Sequence, residues 1–129
     1  MGSFKRHYLG NEVLDVTDAD TIKLRIDLGF NLDGLKIKCR LYGIACLERN
    51  DPGGLESKLH VAELVPVGSE VDVRSIEWDK YSQRFDGIVY MPGNEESLNH
   101  RLIREGYAVP WNGRGTQPKP SWPPVPIEY

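Results

Sequence analysis

Residues 21–28 read Thr-Ile-Lys-Leu-Arg-Ile-Asp-Leu, and every second side chain in this stretch is apolar. Successive side chains of a β-strand point to opposite faces, so alternation with a period of two is typical of a half-buried strand. Residues 29–34 contain glycine, asparagine and aspartate, which favour a turn. Residues 35–44 then alternate again, and the apolar side chains expected on one face are Leu35, Ile37, Cys39 and Leu41. Together the two segments predict a β-hairpin.

Further strands are predicted on both sides of this hairpin. Residues 4–16 form a weaker strand candidate, which Gly10 and Asn11 interrupt. Residues 70–77 and 84–91 resemble two more strands around a polar turn. The whole pattern is therefore mainly β.

Two amphipathic helices are predicted, at residues 55–65 and 97–105. The apolar positions at helical spacing in the first are Leu55, Leu59, Ala62 and Leu64 or Val65, and those in the second are Leu98, Leu102 and Ile103. Ser97 is a favourable N-cap, and Gly106 is a natural helix end. The order of elements predicts an α+β fold, mainly β, as a five-stranded Greek-key barrel of the OB type with two or three helices.

The chain divides into a barrel and a tail. Its 129 residues suit one domain, and residues 1–112 hold all the predicted strands and helices. Residues 113–129 contain five prolines, which predict an extended or polyproline-like segment. Such a tail is either mobile or laid along the barrel.

Composition limits the functional class. The hydrophobic fraction of 40% is ordinary for a globular protein, and no apolar run approaches the roughly 18 residues that cross a bilayer, so no membrane partner is expected. Residues 1–6 show no signal peptide, which favours a cytoplasmic location. A net charge of −3 argues against tight non-specific nucleic-acid binding but permits a local basic pocket. Two cysteines make neither a disulfide framework nor a zinc-ligand pattern.

Three short segments contain residue types that act on phosphates. Residues 18–21 read Asp-Ala-Asp-Thr, and oxygen ligands of this kind bind hard cations such as Ca²⁺. Arg40 lies on the polar face of its predicted strand, and a guanidinium can hold a phosphate through two hydrogen bonds. Glu48 follows in a loop, where a carboxylate can orient or deprotonate a water molecule. Arg84 could add a second positive group. Taken singly, these residues are equally explained by a turn, an ordinary ion pair and a surface arginine.

In this order, the segments resemble the staphylococcal nuclease-like (thermonuclease) family. That family carries Asp-Gly-Asp-Thr, then Arg-Leu with a following Asp and Glu, then Asp-Lys-Tyr-Gly-Arg and a final helix. The matching stretches here are Asp-Ala-Asp-Thr at 18–21, Arg-Leu-Tyr-Gly-Ile at 40–44 with Glu48, Asp-Lys-Tyr at 79–81 with Arg84, and Leu-Asn at 98–99 through Gly-Tyr-Ala at 106–108. The resemblance covers residues 12–112 and identifies residues 1–112 as a nuclease-like OB-fold domain.

The resemblance implies a Ca²⁺-dependent nuclease, a hydrolase that cleaves phosphodiester bonds of DNA or RNA, with single-stranded nucleic acid as the expected partner. It implies three catalytic residues, Arg40, Glu48 and Arg84. It implies that Ca²⁺ or another divalent cation is bound by Asp20, Thr21 and the backbone carbonyl of Cys46. It implies contacts to the nucleic acid from Lys80, Tyr81 and Trp111.

Two departures from the family pattern leave an alternative open. Ala45 stands where the family has a second metal-binding Asp, and a proline-rich tail replaces the family's last helix. Loss of one carboxylate should weaken the binding of a hard cation. The alternative is therefore a catalytically inactive barrel that binds nucleic acid or protein. A third reading is an unrelated barrel whose match to these motifs is a coincidence.

Overall fold

A computed structural model describes residues 6–30, 34–79 and 83–127. The strands are β1 (Arg6–Asp18), β2 (Thr21–Ile26), β3 (Leu35–Leu41), β4 (Ile44–Cys46), β5 (Glu70–Asp79), β6 (Arg84–Tyr90) and β7 (Ala108–Pro110), and the helices are α1 (Gly54–Leu64) and α2 (Leu98–Arg104). Strands β1-β2-β3-β6-β5 form a closed barrel, and β4 pairs with β7 in a separate small sheet. The described chain is thus mainly β with some α, as predicted.

The predicted hairpin is confirmed. Strands β2 and β3 pair antiparallel, from Thr21 opposite Arg40 to Ile26 opposite Leu35. Burial along β3 increases toward the end of the strand, because Leu35 is 52% exposed whereas Cys39 and Leu41 are fully buried. The reason is that β3 pairs with β6 only from Lys38 onward, so its first residues are bonded on one side alone.

Strand β1 is continuous where an interruption was predicted, because Gly10 and Asn11 form an irregularity within it and do not end it. The register of β1 with β5 shifts between Tyr8 and Asn11. The buried Asn11 side chain donates to the carbonyls of Tyr8 (2.7 Å) and Val71 (3.1 Å), which satisfies backbone groups at the shift. One strand therefore continues through this point and pairs with both β2 and β5.

The direction of pairing is mixed but mainly antiparallel, as predicted. Strands β3 and β6 alone are parallel within the described barrel, with Lys38 opposite Arg84 and Arg40 opposite Asp86. This contact joins segments far apart in sequence and brings the arginine of β3 and the arginine of β6 to the same edge of the barrel.

The predicted apolar face of α1 is wrong at two leucines. Leu55 and Leu59 are each 53% exposed, whereas the buried residues of α1 are Gly54, Ser57 and Val61. Small residues allow close packing here, since a side chain at Gly54 would collide with the Glu48 carbonyl oxygen. Helix α1 therefore packs through small residues onto the loop that precedes it.

Helix α2 follows the prediction. The Ser97 hydroxyl accepts a hydrogen bond from the His100 N–H (3.0 Å), and Leu98 and Leu102 are fully buried. Buried Asn99 donates to the carbonyls of Tyr42 (2.9 Å) and Gly87 (3.1 Å) and accepts from the Val89 N–H (3.1 Å). It thereby ties α2 to β6 and to the turn after β3. Among the described residues, no helix has the length and apolar character needed to span a membrane.

The described part of the proline-rich tail contacts the rest of the fold. The Ile127 N–H donates to the Arg104 carbonyl (2.8 Å). The rings of Trp122 and Tyr107 contact each other edge to face, with 6.2 Å between their centroids. Gly53, at φ +84°, could not carry a side chain without overlapping the Trp122 ring. The tail is thus packed against the helical side of the molecule.

Candidate functional site

A cleft of about 870 Å³ gathers side chains from the β1–β2 turn, β3, the loop before α1, β6 and the tail. Asp20, Arg40, Glu48 and Arg84 all line it. The structure thus brings together four residues that lie far apart in the sequence and belong to the nuclease-like motifs.

Asp20 is held by two neighbours within the cleft. Its Oδ1 accepts a hydrogen bond from the Thr21 hydroxyl (3.1 Å), and its Oδ2 lies 3.5 Å from Arg40 Nη2. The backbone reinforces this arrangement, because the Leu41 N–H donates to the Asp20 carbonyl (2.8 Å). The Asp20 carboxylate therefore orients Arg40 in this structure.

Trp111 also fixes Arg40. The guanidinium carbon of Arg40 lies 5.0 Å from the centre of the Trp111 ring, within the range of a cation–π contact. Trp111 is anchored at both ends, since its backbone N–H donates to the Gly43 carbonyl (2.9 Å) and its indole N–H donates to the Arg114 carbonyl (3.0 Å). The resemblance implied that Trp111 contacts nucleic acid. In the structure Trp111 lines the cleft, with one ring face against Arg40.

Arg84 and Asp86 project from one face of β6, two residues apart, into the same cleft. Nε of Arg84 is buried, and within the described ranges it has no hydrogen-bond partner. Asp86 lies opposite Arg40 in the β3–β6 register. Burial raises the pKa of Asp86, while the charges of Arg40 and Arg84 oppose that rise. Asp86 was not among the site residues predicted from the sequence, although its position two residues after Arg84 on the same predicted strand could have indicated it.

Glu48 is exposed, and its backbone is fixed by Asp51. The Glu48 N–H donates to Asp51 Oδ2 (2.8 Å), and the Asp51 N–H donates to the Glu48 carbonyl (2.9 Å). Lys119 of the tail lies 2.6 Å from Asp51 Oδ1. The hydrogen bonds from Lys119 and from the Glu48 backbone lower the pKa of Asp51. Neither Asp51 nor Lys119 was given a role from the sequence.

The residues present do not form a calcium site by themselves. Ca²⁺ takes about six to eight oxygen ligands. Ala45 is fully buried and offers no side-chain oxygen, and Asp20 is already engaged by Thr21 and Arg40. In the described part of the chain, no three His, Cys, Asp or Glu side chains form a group that could hold a metal ion.

The charge of the cleft is mixed. Its described lining contains six carboxylates, Asp18, Asp20, Glu48, Glu77, Asp79 and Asp86, and four arginines, Arg40, Arg49, Arg84 and Arg114. With six carboxylates against four arginines, the described lining carries a formal excess of two negative charges. Lys80 and Tyr81, expected to contact nucleic acid, lie outside the described residues.

No family model matches the chain, and no curated protein matches it. Assignment of a function therefore depends on the residues of the cleft.

Proposed function

We propose that the protein binds single-stranded DNA or RNA in the cleft and hydrolyses a phosphodiester bond there. The observation that carries the proposal is the presence of two arginines, Arg40 and Arg84, and one exposed loop carboxylate, Glu48, in a single cleft. The barrel around it is proposed to be of the OB type. The closed order β1-β2-β3-β6-β5 supports that assignment, because β1 closes the barrel by pairing with two strands.

The two arginines would hold the scissile phosphate. Arg40 is pre-oriented by Asp20 and Trp111, so little side-chain freedom remains to be lost on binding. Arg84 offers a buried Nε that is unpartnered within the described ranges and could donate to a phosphate oxygen. Both guanidiniums would stabilise the extra negative charge that develops on phosphorus oxygens in the transition state.

Glu48 would act on the attacking water. Its carboxylate would accept a proton as the water oxygen bonds to phosphorus, the bond from phosphorus to the leaving nucleoside oxygen would break, and that oxygen would take a proton from solvent water. The short loop that carries Glu48 keeps it at the mouth of the cleft, where water is available.

The proposal includes a divalent cation, with Ca²⁺ as the first choice, that binds in the cleft only when the substrate is bound as well. The cleft alone lacks the donors for a calcium site. Asp20 with phosphate oxygens of the substrate and water would supply the oxygen ligands such ions prefer.

A binding module without catalysis is the second candidate. Two observations favour it: the buried Ala45 in place of a carboxylate, and the additional negative charge of Asp86 between the arginines. In that case the cleft would hold a phosphate without cleaving its ester.

The two candidates are separated by an assay with labelled single-stranded DNA and RNA, with Ca²⁺ or with chelator. We expect cleavage in Ca²⁺ that Arg84→Ala lowers by about 100-fold, the effect of losing one preorganised donor. Arg25→Ala is the matched control, since Arg25 pairs with Glu12 away from the cleft. Binding that depends on Arg84, with no cleavage under any condition, would establish the binding module instead.

A further inference from the structure

The tail crosses the loop that carries Glu48. Lys119 Nζ lies 2.6 Å from Asp51 Oδ1, although the two residues are 68 positions apart. Pro120 beside it is buried, and the Trp122 ring lies over Gly53, two residues beyond Asp51. The tail is therefore fixed to this loop at two neighbouring points.

Within the loop, Asp51 binds the backbone of Glu48 on both sides. Its Oδ2 accepts from the Glu48 N–H (2.8 Å), and its own N–H donates to the Glu48 carbonyl (2.9 Å). The Asp51 carbonyl accepts from the Gly54 N–H (2.9 Å), where α1 begins. One carboxylate oxygen of Asp51 thus serves Glu48, and the other serves Lys119.

We propose that Lys119 is a positioning residue for Glu48 and acts through Asp51. The Lys119 ammonium holds the Asp51 carboxylate in the orientation in which its second oxygen receives the Glu48 N–H. Because Glu48 is exposed, its approach to a bound phosphate depends on how firmly its backbone is fixed. The proline-rich tail is then part of the catalytic apparatus and not an appendage. This inference rests on the role proposed for Glu48.

The ion pair between Lys119 and Asp51 is expected to affect the mobility of the Glu48 loop and not the stability of the whole protein. The side chain of Lys119 is 52% exposed, and exposed ion pairs contribute little to global stability. Loss of the pair should therefore loosen the loop while the barrel stays folded. If the ion pair instead stabilised the whole protein, its loss would lower the free energy of unfolding of the barrel.

The test compares Lys119→Met, Lys119→Arg and the matched control Lys36→Met, an exposed lysine on β3 outside the cleft. The solvent-exchange rate of the Glu48 amide, measured by NMR, should rise about fivefold in Lys119→Met, the upper range for loss of an exposed charge pair. The kcat for single-stranded DNA cleavage should fall by a similar factor at unchanged KM. Lys119→Arg should restore both values, and Lys36→Met should leave both at the wild-type level.

Three results would overturn the inference. The first is an unchanged Glu48 exchange rate in Lys119→Met. The second is faster exchange with wild-type kcat and KM. The third is the same change in Lys36→Met. If the wild-type protein cleaves nothing, the proposed function fails, and the exchange comparison alone still decides whether the tail holds the Glu48 loop.

Discussion

Arg40 and Asp86 lie opposite each other in the parallel register of β3 and β6. Asp86 therefore places a half-buried negative charge beside the first arginine of the proposed phosphate clamp, with the second, Arg84, two residues away on the same strand. A bound phosphate has to compete with this carboxylate for both guanidiniums.

Removing the charge of Asp86 should strengthen phosphate binding and stabilise the protein at neutral pH. Burial raises the folded-state pKa of Asp86 above its ordinary value of 3.8, so the favourable contribution of the protonated form is lost as pH rises through the folded pKa. We expect Asp86→Asn to raise the unfolding free energy at pH 7 and to leave it unchanged near pH 3. Urea unfolding at the two pH values measures this. A less stable Asp86→Asn protein at pH 7 would show that the carboxylate is needed to hold the arginines.

Ala45→Asp should lower the Ca²⁺ concentration required for cleavage, because it adds a carboxylate at the position where the nuclease-like family has a second metal-binding Asp. Ala45 is fully buried, so without Ca²⁺ the new carboxylate should destabilise the fold by about 2 kcal/mol or more. Calorimetry of Ca²⁺ binding and thermal unfolding with and without the ion measure both effects. Ala45→Asn is the uncharged control. If Ala45→Asp neither cleaves nor binds Ca²⁺ better, the cleft is not a weakened nuclease centre, and the binding module becomes the first candidate.

Glu48→Gln should reduce kcat by about 100-fold or more and leave the Ca²⁺ requirement nearly unchanged, because it removes a base and not a metal ligand. Steady-state rates across a Ca²⁺ titration separate these quantities. Glu56→Gln, an exposed carboxylate on α1 outside the cleft, is the control and should have wild-type rates. Equal rates for Glu48→Gln and wild type would remove Glu48 from the mechanism.

Asn99→Ala should destabilise the protein by about 1 to 3 kcal/mol, since it leaves the buried Val89 N–H without its partner and removes the amide donor from the carbonyls of Tyr42 and Gly87. Urea unfolding measures the loss, and Asn94→Ala, at an exposed loop position, should change it little. A loss below about 0.5 kcal/mol would mean that water replaces the amide without cost.

Local patterns in the sequence predicted the elements well, and long-range contacts explain the differences. The alternation in residues 21–28 reflects a strand whose inner face is buried, so β2 was predictable. The exposure of Leu55 and Leu59 was not predictable, because α1 packs through Gly54 and Ser57. The helical periodicity of apolar residues does not reveal packing by small residues.

The residues of the candidate site also differ in whether they could be predicted from the sequence. Arg40, Glu48 and Arg84 could be recognised from motif order alone. The importance of Lys119 could not, because it depends on Asp51 across the molecule. Asp86 could have been noticed from its spacing to Arg84, but its position opposite Arg40 depends on the pairing of β3 with β6.

The parallel contact between β3 and β6 also has a kinetic consequence. It joins strands separated by β4, α1 and β5, and such non-local pairing is slow to form in folding. A growing chain that has not yet reached β6 carries Arg40 but no second arginine beside it. The proposed phosphate binding should therefore appear only once β6 has paired with β3, which makes ligand binding a reporter of that pairing.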